Sequence, residues 1–208
     1  MPARLRLYSD LICPFCFVAE RSSLVRLVEE FELPVEWIGY ELHPGTPRGG
    51  VPLAQVFPQA GAMLGYVKGF AEGFGIDDLR PPAHLASTRR ALAAAEHARD
   101  QGRLEPFRAL AFDAYWRRGW GIEEDEDLRW LAREVGLDPE AAVQAAAEPA
   151  LLARVDQARA QALAAGVRGV PTFDFVADGA DDPVRVVGCQ RYENLAEAAR
   201  KVGAGRRR

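Results

Sequence analysis

Two cysteines held two residues apart, Cys13-Pro14-Phe15-Cys16, are the residues of this chain best suited to chemistry. A C-x-x-C pair can close to a disulfide and reopen, exchanging two electrons with another thiol–disulfide couple. Pro14 suits the first turn of a helix, where its missing N–H costs no hydrogen bond. With Cys13 at the helix entrance, Cys16 lies one turn in on the same face, so the two sulfurs can meet. The orphan N–H groups and the positive end of the helix dipole favour negative charge on the Cys13 sulfur. Cys13, at the exposed tip, is therefore the expected attacking thiol. Cys16, shielded within the first turn, is the expected resolving thiol.

Two other uses of the pair weigh less. Cores rarely need two inert thiols at a proline-marked helix start. A structural zinc site needs four ligands. Cys189 and one histidine would complete a set with Cys13 and Cys16, but there is no second C-x-x-C and no H-x-x-x-H, so no metal is expected. His43 sits in a Pro/Gly loop, His84 follows Pro81-Pro82, and His97 falls in an Ala-rich helical run; each reads as structural or solvated. Phe70, Phe74, Phe107, Phe112, Tyr115, Trp116 and Trp120 read mostly as core.

The second motif is Gly169-Val170-Pro171-Thr172-Phe173. Proline cannot donate to a sheet ladder, so Pro171 marks a strand start or edge. Beside a redox pair it is a candidate cis-proline. That geometry turns the Val170 N–H and C=O outward, where they can pair with an extended substrate. Pro14, Phe15, Val170 and Pro171 are thus the expected substrate-binding residues. The remaining cysteine, Cys189, would ordinarily be a small buried hydrophobe. A hairpin turn centred near residues 179–180 would instead set Gly188 opposite Pro171 and Cys189 opposite Val170. Cys189 is on that register a candidate auxiliary thiol.

The elements that must position these groups follow from periodicity. Residues 4–8 alternate polar and apolar, the period of a half-buried strand. Helix is expected from Pro14 to Phe31, closed by Pro34, and a second strand over Val35–Tyr40. This strand–helix–strand unit is long enough for a right-handed parallel crossover. Pro and Gly dominate residues 43–50, a linker or loop. From about 53 to 165 the signals are helical, with apolar stripes such as Phe107, Leu110, Ala111, Ala114 and Tyr115. Gly136 sits where a helix ends in the left-handed region, and Asp138-Pro139 reads as an N-cap and first-turn proline. Segment 53–76 is interrupted by Gly61, Gly65, Gly69 and Gly73, a spacing that would permit close helix packing. Strands return at 171–176 and 184–187, joined by a turn-rich loop, and a last helix carries Leu195, Ala198, Ala199 and Val202. The order β-α-β, helical block, β-β-α is that of an α/β thioredoxin-like fold with a large all-helical insertion. The expected bounds are 1–45 with 166–208 for the first part and 46–165 for the insertion.

With 208 residues, 49% of them hydrophobic, the chain can build a substantial core without disulfide staples. A net charge of −4 with interspersed signs argues against nucleic acid as the main partner. The one basic run, Arg206-Arg207-Arg208, reads as a frayed, solvated tail. Three cysteines are too few for a secreted disulfide framework. The N-terminus lacks the apolar stretch and cleavage site of a signal peptide, and no stretch approaches a membrane span. The expected compartment is the cytoplasm. Monomer and homodimer both remain open.

At its motifs the chain resembles the DsbA family of the thioredoxin-like superfamily, and within it the cytoplasmic FrnE-like branch. The resemblance rests on Ser9-Asp10 ahead of the cysteine motif and on the run from Gly166 to Phe173. It also rests on Ala114-Tyr115-Trp116 with Gly121-Ile122 and the acidic helix start behind them, and on Val187-Gly188 with Gln190. It implies a disulfide oxidoreductase with Cys13 as nucleophile, Cys16 as resolving thiol and Pro171 as cis-proline. Its substrates would be protein or small-molecule disulfides and thiols. No cofactor is implied beyond the reversible disulfide, with glutathione a candidate redox partner. The family's periplasmic members carry His where this chain has Phe15, which implies a milder oxidant here. Many thioredoxins bury an acid six residues before the first cysteine; that position is Leu7, leaving Asp10 and Glu41 as candidate substitutes, though each reads first as an ordinary loop or strand-end carboxylate. Kappa-class glutathione transferases and 2-hydroxychromene-2-carboxylate isomerases share the fold but usually carry Ser at the first cysteine position. A glutathione-dependent isomerase or transferase is the second reading, and a non-enzymatic binding module the third.

Overall fold

Alternation along the first strand does what its period predicts. In the computed structural model, which describes residues 3–180 and 182–207, β1 spans Arg4–Ser9 with Leu5 and Leu7 fully buried and Arg4 and Arg6 half-buried. The chain then enters α1 (Pro14–Arg21) and α2 (Ser23–Glu30) and returns as β2 (Val35–Gly39), parallel to β1 from Leu5↔Val35 to Ser9↔Gly39. The single helix expected over 14–31 is broken at Ser22, whose backbone leaves helical geometry at φ −129° and ψ −90°. The Ser22 hydroxyl donates to the Val18 carbonyl one turn back, the local bond by which Ser bends helices.

Across the helical region the chain forms β3 (Val51–Pro52), α3 (Leu53–Val56), α4 (Ala60–Glu72), β4 (His84–Leu85), α5 (Arg89–Asp100), α6 (Leu104–Arg118), α7 (Asp125–Glu134), α8 (Pro139–Ala145) and α9 (Pro149–Ala164). β3 and β4 pair as a short antiparallel ladder. Gly119 ends α6 at φ +65° and Gly136 follows α7 at φ +76°, the left-handed conformation that spares only glycine a steric cost. Asp138 caps α8 by accepting from the N–H groups of Glu140 and Ala141. The glycines of α4 do not serve close packing. A Cβ built at Gly61, Gly65 or Gly69 would meet nothing within 4 Å.

The last part supplies β5 (Thr172–Val176), β6 (Val184–Val187) and α10 (Tyr192–Lys201). β5 runs antiparallel to both β1 and β6, giving the sheet order β2-β1-β5-β6. All five residues of β5 are buried, as befits a strand with a neighbour on each side. Asp174, 2% exposed, is held there by two bonds of 2.7 Å from the Arg185 guanidinium on β6. α10 packs on α2, with Leu195, Ala196 and Ala199 fully buried. The basic tail is anchored as far as it is described, rather than frayed. The Arg207 N–H donates to the Glu30 carbonyl, Arg206 bridges to Phe31, and the Arg206 guanidinium lies 5.7 Å from the Phe31 ring centre. These bonds give the Glu30 and Phe31 carbonyls at the end of α2 a partner in the tail. Arg208 lies outside the described residues.

The chain divides into two units, one reaching Tyr40 and resuming at Ala162, the other spanning Glu41–Gln161. Both boundaries fall a few residues before the expected ones. The Pro/Gly signal begins at His43, but Glu41 already belongs to the helical unit through Arg89, and its carbonyl accepts from Arg159. Among the described residues, no helix is long and apolar enough to cross a membrane.

Candidate redox site

β1 ends at Ser9, and the turn Asp10–Ile12 delivers Cys13 to the N-cap of α1. The Cys13 N–H closes this turn on the Asp10 carbonyl, 3.1 Å away. Cys13 has extended backbone (φ −84°, ψ 115°), and its sulfur accepts from the Cys16 N–H at 3.3 Å. It thus replaces the oxygen that usually caps a helix. The Cys13 S–H points to the Val170 carbonyl at 3.6 Å. Cys13, Cys16 and Cys189 are all free thiols. Cys13 is 2% exposed and Cys16 fully buried. The order of exposure is the expected one, but Cys13 is no open tip: Leu11 and Ile12 are buried before it, and the Val170 carbonyl sits against its sulfur.

Pro14, Phe15 and Val170 are half-buried around this sulfur, and the Val170–Pro171 peptide bond is cis. The Thr172 hydroxyl holds the loop from within by donating to the Gly169 carbonyl at 2.7 Å. β6 returns to the same rim, where the Gly188 N–H donates to the Pro171 carbonyl at 2.8 Å. That is the register expected from the hairpin turn. Cys189 follows, half-buried; burial pushes its thiol up to about 12, and the nearby Cys13 sulfur pushes in the same direction.

Burial likewise pushes the Cys16 thiol well up, and its hydrogen bond and proximity to Cys13 add to this. The Asp10 backbone, hydrogen-bonded to the Cys16 sulfur, acts the other way, and the Ser9 hydroxyl does so whenever it turns its proton to that sulfur. Ser9 in turn donates to Glu20 Oε1 at 2.6 Å, and the Trp37 indole N–H donates to the same oxygen at 3.2 Å. Ser9, Glu20 and Trp37 are 0%, 7% and 2% exposed. Sequence reasoning left Glu20 and Trp37 out of the site and used Ser9 only as part of a motif. Glu20 had a legible signal, an acid four residues after Cys16 and so on the same helix face.

Of the two candidate substitutes for an acid at Leu7, Asp10 is fully buried in the turn before Cys13. Glu41 is instead engaged by Arg89 at 3.3 Å within the helical unit. His43 lies edge-on to Phe57, with burial pushing its imidazole down. His84 is exposed on β4, and His97 is half-buried on α5. Phe107, Phe112, Tyr115 and Trp116 are buried, Phe70 and Phe74 half-buried, and Trp120 is 47% exposed against Trp130. Among the described residues, no group of three or more His, Cys, Asp or Glu side chains is placed to hold a metal ion.

Comparison with known proteins fits this geometry. A 2-hydroxychromene-2-carboxylate isomerase of Sphingobium xenophagum is 26% identical over 186 residues, 86% of this chain and 91% of its own length. The crystal structure of a probable DsbA oxidoreductase from Streptomyces coelicolor superposes with a TM-score of 0.83 at 25% identity, covering 96% of this chain and 89% of that one. The cytosolic disulfide reductase DsbM of Pseudomonas aeruginosa, solved also with GSH, shares the fold at a TM-score of 0.68 and 20% identity, over 96% of this chain and 100% of that one. The DSBA-like thioredoxin domain family matches residues 4–200, and with a C-x-x-C at the N-cap of α1 beside the Val170–Pro171 loop, this chain belongs to that family of thiol–disulfide oxidoreductases.

Proposed function

We propose that the chain reduces or isomerises disulfides of proteins or small molecules through Cys13 and Cys16, in a reducing compartment such as the cytoplasm. The observation that carries this reading is the Cys16 N–H donating to the Cys13 sulfur at the helix start. A hydrogen bond and a helix N-terminus aimed at one sulfur stabilise charge on it. The Cys13 thiolate, its proton lost to solvent, attacks one sulfur of a substrate disulfide. A Cys13–substrate bond forms, the substrate S–S bond breaks, and the other half leaves as a thiolate that takes a proton from water. Cys16 then gives up its proton and attacks the Cys13 sulfur. A Cys13–Cys16 disulfide forms and the second substrate thiol departs. The enzyme dithiol is oxidised and the substrate disulfide reduced to two thiols.

Pro14, Phe15, Val170 and Pro171 form the substrate rim in this reading. Phe15 offers no hydrogen bond to the Cys13 sulfur, which suits a reductant or isomerase better than a strong oxidant. Glutathione is the proposed source of electrons, a reading supported by the fold shared with DsbM, which has been solved with GSH. Cys189 lies on the same rim, half-buried, with burial pushing its thiol up to about 12. Glutathione-dependent isomerisation is the second reading, supported by the likeness to the Sphingobium enzyme. Against it, Cys16 would resolve a Cys13–glutathione adduct before it could serve another reaction.

The test is turnover of a disulfide-bonded protein such as insulin with glutathione as reductant. Cys13→Ser should abolish it, and activity retained in that variant would refute Cys13 as the nucleophile.

A further inference from the structure

The resolving step requires a proton to leave Cys16, whose sulfur is fully buried and sealed from water. The position six residues before Cys13, where an acid would serve, is Leu7, itself fully buried. Glu41 is held by Arg89 in the helical unit. A different acid is connected to the thiol. Cys16 and Glu20 stand one turn apart on α1, and Ser9 donates its one hydroxyl proton to Glu20 Oε1 at 2.6 Å, which leaves the Ser9 oxygen to accept from the Cys16 S–H.

We propose that Ser9 and Glu20 form a buried proton relay for Cys16: Ser9 touches the reacting sulfur as a catalytic residue, and Glu20 acts through it as the positioning residue that takes the proton. This rests on the reading of Cys16 as resolving thiol. As Cys16 attacks, its proton passes to Ser9 Oγ, and the proton already on Ser9 passes to the Glu20 carboxylate. The Cys16–Cys13 bond forms while the Cys13–substrate bond breaks. Glu20 ends neutral, Ser9 keeps its hydroxyl, and the departing thiolate is protonated as Glu20 returns its proton to bulk water. No outside oxidant or reductant enters.

Three elements meet at this relay. β1 supplies Ser9, α1 supplies Cys16 and Glu20, and β2 supplies Trp37, whose indole N–H holds Glu20 Oε1 at 3.2 Å. The parallel register sets Leu7 beside Trp37 and Ser9 beside Gly39, so Ser9 and Trp37 are neighbours along one buried edge. Alternation along β1 would turn Ser9 and Leu7 to the same face, the face that α1 covers. The ionisable groups facing Cys16 are Cys13 at the helix start and, through its backbone, Asp10 in the turn. Ser9 and Trp37 bring hydrogen-bonding capacity without charge. Arg21 is next to Glu20 in sequence.

A carboxylate that merely ties β1, β2 and α1 together would keep that function as an amide. Glu20→Gln retains an oxygen that accepts from Ser9 and Trp37 but takes no proton. The experiment is rapid-mixing single turnover of the reduced protein with glutathione disulfide, following formation and then loss of the Cys13–glutathione adduct between pH 6 and 10. The relay predicts unchanged adduct formation in Glu20→Gln, with loss of the adduct slowed about 10²-fold at pH 7, the usual weight of a general base. The deficit should close as pH rises and hydroxide takes over. Ser9→Ala should show the same defect, and the double variant no more than either alone. Adduct loss in Glu20→Gln at the wild-type rate, with the same pH profile, would overturn the relay. If Glu20→Gln does not fold, Ser9→Ala decides by the same criterion. An adduct that never forms in wild type would instead overturn the underlying dithiol reading.

Discussion

Cys13 does two jobs with one sulfur. It caps α1 by accepting from the Cys16 N–H, and it presents the atom that reacts. The pair is asymmetric because the neighbours differ. Both sulfurs are buried, but Cys13 has the helix N-terminus and a carbonyl beside it, whereas Cys16 lies one turn in, where burial pushes its thiol up. The same physics governs Cys189. Its thiol, pushed up to about 12, carries far less thiolate at pH 8 than a free cysteine. In folded protein it should therefore alkylate much more slowly than Cys13, and its rate should still be climbing above pH 10. Peptide mapping after timed alkylation checks this; labelling of Cys189 as fast as Cys13 at pH 8 would contradict it. The Cys13-Pro14-Phe15-Cys16 spacing made the chemistry legible at this scale. The partners of Cys16 were harder to read, because Ser9, Glu20 and Trp37 meet only through strand pairing and a helix crossing.

Among the elements, β5 and β6 carry the loop that faces Cys13, and one ion pair sets their relation. Asp174 is buried and bound through both oxygens by Arg185, which also donates to the Ala165 carbonyl at the end of α9. Removing the cation leaves a buried carboxylate without its partner, so Arg185→Ala should destabilise by about 3 kcal/mol. Asp174→Asn in that background should recover part of the loss. Urea unfolding of the single and double variants measures both. α4 makes the opposite case. Its glycines face open space, so Gly61→Ala, Gly65→Ala and Gly69→Ala should each stabilise by about 0.5–1 kcal/mol, seen as a rise in melting temperature. A drop in any of them would show that α4 packs there against something. The break between α1 and α2 escaped the sequence for a local reason. The apolar stripe of Leu24, Leu27 and Phe31 continues past it, and only the Ser22 hydroxyl turning back to Val18 marks it.

For the whole molecule, the change from a period of two to a helical period and back was enough to order the elements. β1, α1 and β2 form the parallel half of the sheet, β5 and β6 the antiparallel half, and a helical unit is spliced between. The hairpin register was legible because its turn is rich in Asp and Gly, and it carried Gly188 to Pro171 as expected. The domain bounds were less so. α9 runs on across the division at Gln161, so no composition shift marks it. The tail was misjudged because carbonyls at the end of α2 bind it, and nothing in an arginine run announces that. The sheet brings the two ends of the chain together at one sulfur, with Cys13 on the first helix and Val170 ahead of β5.

Attack by Cys13 and resolution by Cys16 separate when the intermediate is trapped. Cys16→Ser is incubated with glutathione disulfide beside wild type, and both are read by intact mass and peptide mapping. One glutathione is expected on Cys13 in the variant, and in wild type a Cys13–Cys16 disulfide with no adduct. A folded Cys16→Ser protein carrying its glutathione on Cys189, or carrying none, would contradict these roles.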